Sequence, residues 1–250
     1  MPAGWSARLS TRVSRDVGVA PIDARLPSLC AICHGWGRGR LCGLCTERFS
    51  PAVERCSRCA LAVPAGVPVC GPCLSAPPAF DAALACVDYE APWDRLVTAF
   101  KFHDALELAP VFAASMAAAV RAAKRPPPAL LLPVPLAPAR LRERGYNQAW
   151  ELARRLGRQL GIRADANLLL RLRDTSHQLS LPPAARAGNV RGAFAVEPRR
   201  RAELAGLAVA IVDDVMTTGS TAAEIASVLG QAGASHVSVW AFARTPRPGD

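Results

Sequence analysis

Two adjacent carboxylates, Asp213 and Asp214, end the apolar run Leu207–Val212, and Val215-Met216-Thr217-Thr218-Gly219-Ser220-Thr221 follows at once. A buried strand that ends in acids and opens a helix through a hydroxyl- and Gly-rich turn is equipped to hold a sugar phosphate. The helix N-terminus offers free N–H groups and partial positive charge to a phosphoryl group. Gly219 lets the backbone come close, and Thr217, Thr218, Ser220 and Thr221 add hydroxyl donors. The carboxylates can accept hydrogen bonds from vicinal ribose hydroxyls, directly or across Mg²⁺ and water, and can stabilise a cationic ribose centre. Three other readings compete. Acids before a helix can act only as caps and dipole partners. They can be the metal-binding acids of an ATPase, but the chain lacks the Gly-Lys dipeptide of a P-loop. They can form a phosphoacceptor pocket, whose acids usually come earlier in the fold. The combination of acid pair, Gly and hydroxyls favours a ribose 5-phosphate.

A second chemistry lies in the cysteines. Cys30/Cys33, Cys42/Cys45, Cys56/Cys59 and Cys70/Cys73 form four C-x-x-C pairs separated by 8, 10 and 10 residues. Each pair offers two thiolates to a tetrahedral metal, so four pairs suit two Cys₄ zinc sites. The first two pairs are assigned to one site and the last two to the other, with a cross-braced arrangement left open. Such a segment of ~45 residues cannot bury enough core to fold unaided, so metal binding must supply folding free energy. The expected role of the zinc is structural. Cys30-Ala31-Ile32-Cys33-His34 matches a haem-attachment spacing, but the other three pairs lack the His. Cys86, in an apolar strand, reads as a packed residue. No secretory signal precedes these cysteines, so a thiol-keeping, cytoplasmic setting is expected and disulfides explain the pairs poorly.

These residues need elements to position them. Of the 250 residues, 51% are hydrophobic and 20% charged, which suits a globular protein. No apolar run reaches the ~18 residues of a membrane-spanning helix. Lys and Arg number 30 against 20 acids, and the net charge of +10 suits an anionic partner without choosing one. Residues 1–28 read as a frayed N-terminal extension, 29–76 as a double zinc ribbon, and 77–250 as an α/β domain. The boundary is set by the Pro-rich stretch Ser75-Ala76-Pro77-Pro78. Strands are expected at Ala83–Tyr89, Ala129–Val134, Leu207–Val212 and Val237–Phe242. Helices are expected at Trp93–Phe102, Glu107–Ala123, Asn147–Leu160 and Ser220–Ala232. Strands alternating with helices predict a mostly parallel sheet flanked by helices.

The acid-pair loop resembles the phosphoribosyl diphosphate (PRPP) motif of type I phosphoribosyltransferases. The wider chain, from about residue 29 to 245, resembles the ComF family, which includes ComFC and GntX-like proteins. The resemblance rests on the cysteine pairs, Lys101-Phe102, Pro133-Val134-Pro135-Leu136, Arg142-Glu143-Arg144-Gly145-Tyr146-Asn147-Gln148, the Gln178 to Asn189 segment and the acid-pair loop. It implies a type I phosphoribosyltransferase-like fold behind an N-terminal double zinc ribbon, a PRPP ligand carrying Mg²⁺, and transfer of the phosphoribosyl group with release of pyrophosphate. It places Leu132-Pro133-Val134-Pro135 in the pyrophosphate loop and Arg140, Arg142 and Arg144 in a mobile loop after it. Of these, Arg144 is preferred because Gly145 permits a tight approach. Lys101 becomes a ligand-binding candidate, with snorkelling from a packed helix as its plainer reading. His177, Gln178, Arg186 and Asn189 match the family pattern without a chemical role that can be named. The family's links to DNA uptake imply an alternative function: an accessory factor for competence that binds single-stranded DNA or protein partners, with PRPP as a regulatory ligand. The acceptor substrate is not legible.

Overall fold

The computed structural model describes residues 27–173 and 191–247. The chain starts with the antiparallel pair β1 (Pro27–Leu29) and β2 (Trp36–Arg38), then the short helices α1 (Gly43–Phe49) and α2 (Gly71–Ser75). Five strands then build one parallel sheet in the order β3-β9-β8-β4-β5: β3 (Ala82–Asp88), β4 (Leu130–Pro133), β5 (Arg163–Ala164), β8 (Ala208–Met216) and β9 (His236–Arg244). A small antiparallel pair, β6 (Leu169–Arg171) and β7 (Phe194–Val196), stands apart from it. The helices are α3 (Trp93–Phe102), α4 (Ala109–Ala122), α5 (Pro138–Arg144), α6 (Gln148–Leu160) and α7 (Ser220–Gln231). The expected mostly parallel sheet with flanking helices is therefore present.

Strand β8 shows why the apolar run has no polar face. Val209 and Ile211 point into one core with Ile225 and Leu229 of α7. Ala210 and Val212 point into the other, with Phe100, Phe112, Leu152 and Leu156 from α3, α4 and α6. Successive strand residues face opposite sides, so a strand covered by helices on both must be apolar throughout. The second core is keyed by rings: Phe112 stacks on Phe242 at 4.0 Å, and Phe100 and Trp93 meet these two edge-on at 5.5 Å.

Two expectations are corrected. Strand β8 does not stop at Val212. Its ladder with β9 runs on through Asp213↔Ala241 and Val215↔Ala243 to Met216↔Arg244, so the acids lie within the strand. The polar side chains suggested an end, but backbone pairing with a long neighbour outweighs them. The basic stretch expected as a mobile loop contains helix α5, started by Pro138 in its first turn and closed by Gly145 at φ 72°. Pro at a helix start and a left-handed Gly after its end are the usual punctuation of a short helix.

The cysteine-rich segment is fastened to the sheet. Arg55 pairs with Asp88 at 2.8 Å, and the Trp93 indole N–H donates to the Phe49 carbonyl at 2.6 Å. The Ala83 amide of edge strand β3 donates to the Ser57 carbonyl at 3.1 Å. Trp93 thus serves both core and module.

Helix α6 lies against β5 so closely that a Cβ on Gly157 would stand 2.6 Å from the Ile162 carbonyl oxygen. Gly→Ala inside a helix normally stabilises by about 1 kcal/mol. Here the sign should invert: Gly157→Ala should lose about 1–3 kcal/mol from overpacking, read as a lower urea midpoint. A midpoint at or above wild type would contradict this packing.

Candidate sugar-phosphate and metal sites

The carboxyl edge of the sheet gathers residues from three elements. Asp213 and Asp214 project from adjacent positions of β8 to opposite faces. Asp214 is buried and accepts from the Lys101 ammonium at 3.1 Å and from the Val215 amide at 2.7 Å. Asp213 is half-buried, and its Oδ1 accepts from the Asp214 amide at 2.9 Å. It lines a cleft of about 40 Å³ with Val134, Thr217, Gly219, Ser220 and Thr221. The turn therefore faces a cavity that it shares with one of the acids. Gly219 at φ 82° is the N-cap of α7, a conformation that suits a residue without Cβ. Thr218 and Ser220 hydroxyls pair at 2.8 Å, and the Ser220 amide donates to Thr218 Oγ1 at 3.3 Å.

The electrostatics follow from packing two acids beside one cation. Burial, then the neighbouring Asp214 carboxylate, push the Asp213 carboxyl up to about 8, against the pull of Lys101. Burial opposes charge on Lys101, but Asp214 and Asp213 outweigh it and raise its pKa. In the ligand-free protein Asp213 thus holds its proton more tightly than an exposed carboxylate does.

Lys101 and Arg144 are brought to the same corner by side chains whose importance the sequence does not announce. Gln148 is buried; its Nε2 donates to the Lys101 carbonyl at 3.3 Å and its Oε1 accepts from Arg144 at 3.2 Å. The Arg144 guanidinium sits 4.5 Å above the Phe102 ring. The Tyr146 hydroxyl donates to the Phe100 carbonyl. Asn147 caps α6 by accepting from the Trp150 amide and donates to the Val134 carbonyl at 3.0 Å, which ties the Pro133-Val134-Pro135 turn to the helix. Arg142 bonds the Pro138 carbonyl of its own helix. His177, Gln178, Arg186 and Asn189 lie outside the described residues.

The cysteines form two groups in sequential pairing, Cys30/Cys33/Cys42/Cys45 and Cys56/Cys59/Cys70/Cys73, each with its sulfurs within 4.8 Å of one another. The groups repeat one local design. Cys30 and Cys56 donate N–H to Gly35 and Leu61 and accept from His34 and Ala60, which stand at φ 58° and 57°. Their sulfurs accept from the Cys42 and Cys70 amides at 3.4 and 3.3 Å. Burial works against either thiolate, yet these and neighbouring amides bring both Cys30 and Cys56 down to about 6. Four convergent thiols, some already favouring the anion, are a donor set that could hold zinc. Cys86 is in neither group; burial pushes its thiol up to about 12.

No family model matches the chain. Among curated proteins it is 36% identical over 232 residues to DNA utilization protein YhgH of Salmonella typhi, covering 88% of this chain and 98% of that one. It is 33% identical over 227 residues to YhgH of Escherichia coli K12, with the same coverage. Competence protein F of Haemophilus influenzae is 33% identical over 222 residues, covering 86% of this chain and 96% of that protein. Among solved structures, the glutamine PRPP amidotransferase from B. subtilis aligns at 20% identity and a TM-score of 0.36, over 58% of this chain and 30% of that one. An allosteric regulatory enzyme of purine biosynthesis aligns at 23% identity and a TM-score of 0.33, over 53% and 25% respectively. The parallel sheet, with the acid-pair turn opening α7, stands behind an N-terminal module of two Cys₄ groups, the α/β architecture expected of the chain.

Two measurements probe these sites. A carboxyl that binds its proton more tightly in the folded state stabilises the fold at low pH. It loses that contribution as the pH climbs from about 4 through about 8. Asp213→Asn should therefore out-melt the ligand-free wild type at about pH 8, with the advantage shrinking towards about pH 5; a pH-independent difference would refute the raised titration. Metal analysis of the purified chain should find about two zinc ions, with chelation unfolding the cysteine module. A metal-free chain with a folded module would refute the assignment.

Proposed function

The chain belongs to the ComF family, that of the YhgH and competence F proteins, and from that membership we propose that it binds PRPP with Mg²⁺ and transfers the phosphoribosyl group to a nucleophilic acceptor. The observation that carries this reading is the cleft in which Asp213 meets the α7 turn, at the carboxyl edge of a parallel sheet where such folds bind ligands. Amides and hydroxyls of Thr217–Thr221 hold the 5-phosphate at the positive end of α7. Asp213 and Asp214 take the ribose 2- and 3-hydroxyls as hydrogen-bond donors.

In the transfer, the bond from ribose C1 to pyrophosphate breaks and one from C1 to the acceptor forms, the acceptor losing a proton. The two carboxylates stabilise the positive charge that builds at C1. The hard oxygen donors of the acid pair suit Mg²⁺, which when bound with the diphosphate neutralises part of its charge. Arg144, held at the corner by Gln148 and Phe102, meets the departing pyrophosphate with a planar set of donors. Lys101 stands 3.1 Å from Asp214 as its cationic partner.

A second reading draws on the exposed face of the first cysteine group. There Trp36 and Leu44 are 77% and 79% exposed, and Arg38 and Arg48 lie close to them in sequence. An exposed ring among cations can stack on the bases of single-stranded DNA. Such a role accords with the names of the relatives and makes PRPP a regulatory ligand.

Calorimetric titration with PRPP and Mg²⁺ tests the first reading. Loss of two charge-assisted hydrogen bonds in Asp213→Ala/Asp214→Ala should weaken binding by about a hundredfold or more, and equal affinities would remove the assigned roles. Pyrophosphate release on adding candidate acceptors distinguishes catalysis from binding alone. Salt-dependent anisotropy of labelled oligothymidine, lost in Trp36→Ala, would support the second.

A further inference from the structure

Arg244 closes β9 and, with Gln148 and Asp214, is one of three fully buried polar residues among those described. It donates to four backbone carbonyls, and the Cys59 side chain beside it also favours its charge. Nε donates to Cys59 O at 2.9 Å; Nη1 donates to Met216 O at 3.0 Å, to Thr245 O at 2.7 Å and to Thr217 O. No carboxylate pairs with it among the described residues. A buried cation with no carboxylate partner is costly unless its acceptors are fixed for it. Here the acceptors come from three places: the second cysteine group, the start of the phosphate turn, and the exit of β9.

The geometry has a directional result. In a trans peptide the carbonyl and the next N–H point oppositely. Drawing the Met216 and Thr217 oxygens towards Arg244 therefore turns the Thr217 and Thr218 N–H groups away from it. Gly219 lies near Phe80, which follows the cysteine segment: a Cβ there would stand 3.7 Å from its ring. A cavity of about 530 Å³ opens between the turn and the module, with Arg244 and Cys59 in its wall; beside it Ala60 is buried in the same core as Phe80 and Met216.

We infer that Arg244 is a positioning residue through which the second cysteine group sets the conformation of the phosphate turn. The inference rests on the reading of that turn as the PRPP site.

The test uses the full, zinc-loaded chain with PRPP and Mg²⁺ as probe. Arg244→Gln should keep two zinc ions and a cooperative melt. It should bind about tenfold more weakly or worse, with faster hydrogen exchange at the 217–221 amides. Arg244→Lys, which keeps charge but not the fork of donors, should recover only part of the affinity. Cys73→Ser, which strips the second group alone, should copy the loss. Arg55→Gln, which cuts another module-to-sheet contact, should bind like wild type. Wild-type affinity and exchange in Arg244→Gln would overturn the inference, as would a metal-depleted Cys73→Ser that still binds fully. If Arg244→Gln does not fold, the Cys73→Ser and Arg55→Gln pair decides. A wild type that does not bind PRPP overturns the reading of the turn, and the inference with it.

Discussion

Two carboxylates sit side by side on one strand at a partly dry edge, with a single lysine against one of them. Like charges in a low dielectric repel strongly, and the fold must hold them there before any ligand arrives. The rest of the site can be understood as the means of doing so. Lys101 reaches Asp214 from the end of α3. That end is held by Gln148 and Tyr146 through the carbonyls of Lys101 and Phe100. Helix α3 is in turn set by Phe100 in the aromatic core. Holding Asp213 at this edge, where burial and its neighbour oppose its charge, does not serve stability.

Much of this was legible in the residues. Helix α3 has the expected bounds, α6 and α7 differ by a residue at one end, and the central strands are present, though β8 runs four residues further, because their burial follows simple periods. The two sulfur groups were legible as pairs of pairs, since C-x-x-C spacing alone lets two thiolates converge. The contact of Lys101 with Asp214 was not, because it depends on how α3 crosses the sheet, and no local pattern encodes that. Gln148 shows the same limit. Its neighbours in the chain mark it as one more polar residue at a helix start, whereas its partners are the Lys101 carbonyl and Arg144. Helix α5 carried its own signals in Pro138 and Gly145, and its run of arginines hid them. The short strands β5, β6 and β7 are too brief to show any alternation.

The cysteine module and the sheet are coupled by apolar packing, of Ala60 in one core and of Ile32, Leu41 and Phe49 against the other, and by polar contacts at separate points. Arg55 reaches Asp88, Trp93 reaches Phe49 and Arg244 reaches Cys59. Such contacts are directional, so the module is held in one orientation over the carboxyl end of β9 even where the space between is open. Small sulfur-rich units lack the core to hold a shape of their own accord. Here the module borrows rigidity from the sheet, and the sheet borrows a roof from the module.

The bond from the Ala83 amide to the Ser57 carbonyl has a meaning beyond attachment. Strand β3 is the sheet's border, and a border strand with unmet backbone groups invites pairing with a second molecule. The segment that covers part of it lies earlier in the chain, so during synthesis it emerges from the ribosome before the strand it will guard. Were the cysteine segment not to fold, newly made copies would expose an unguarded rim and be drawn towards one another.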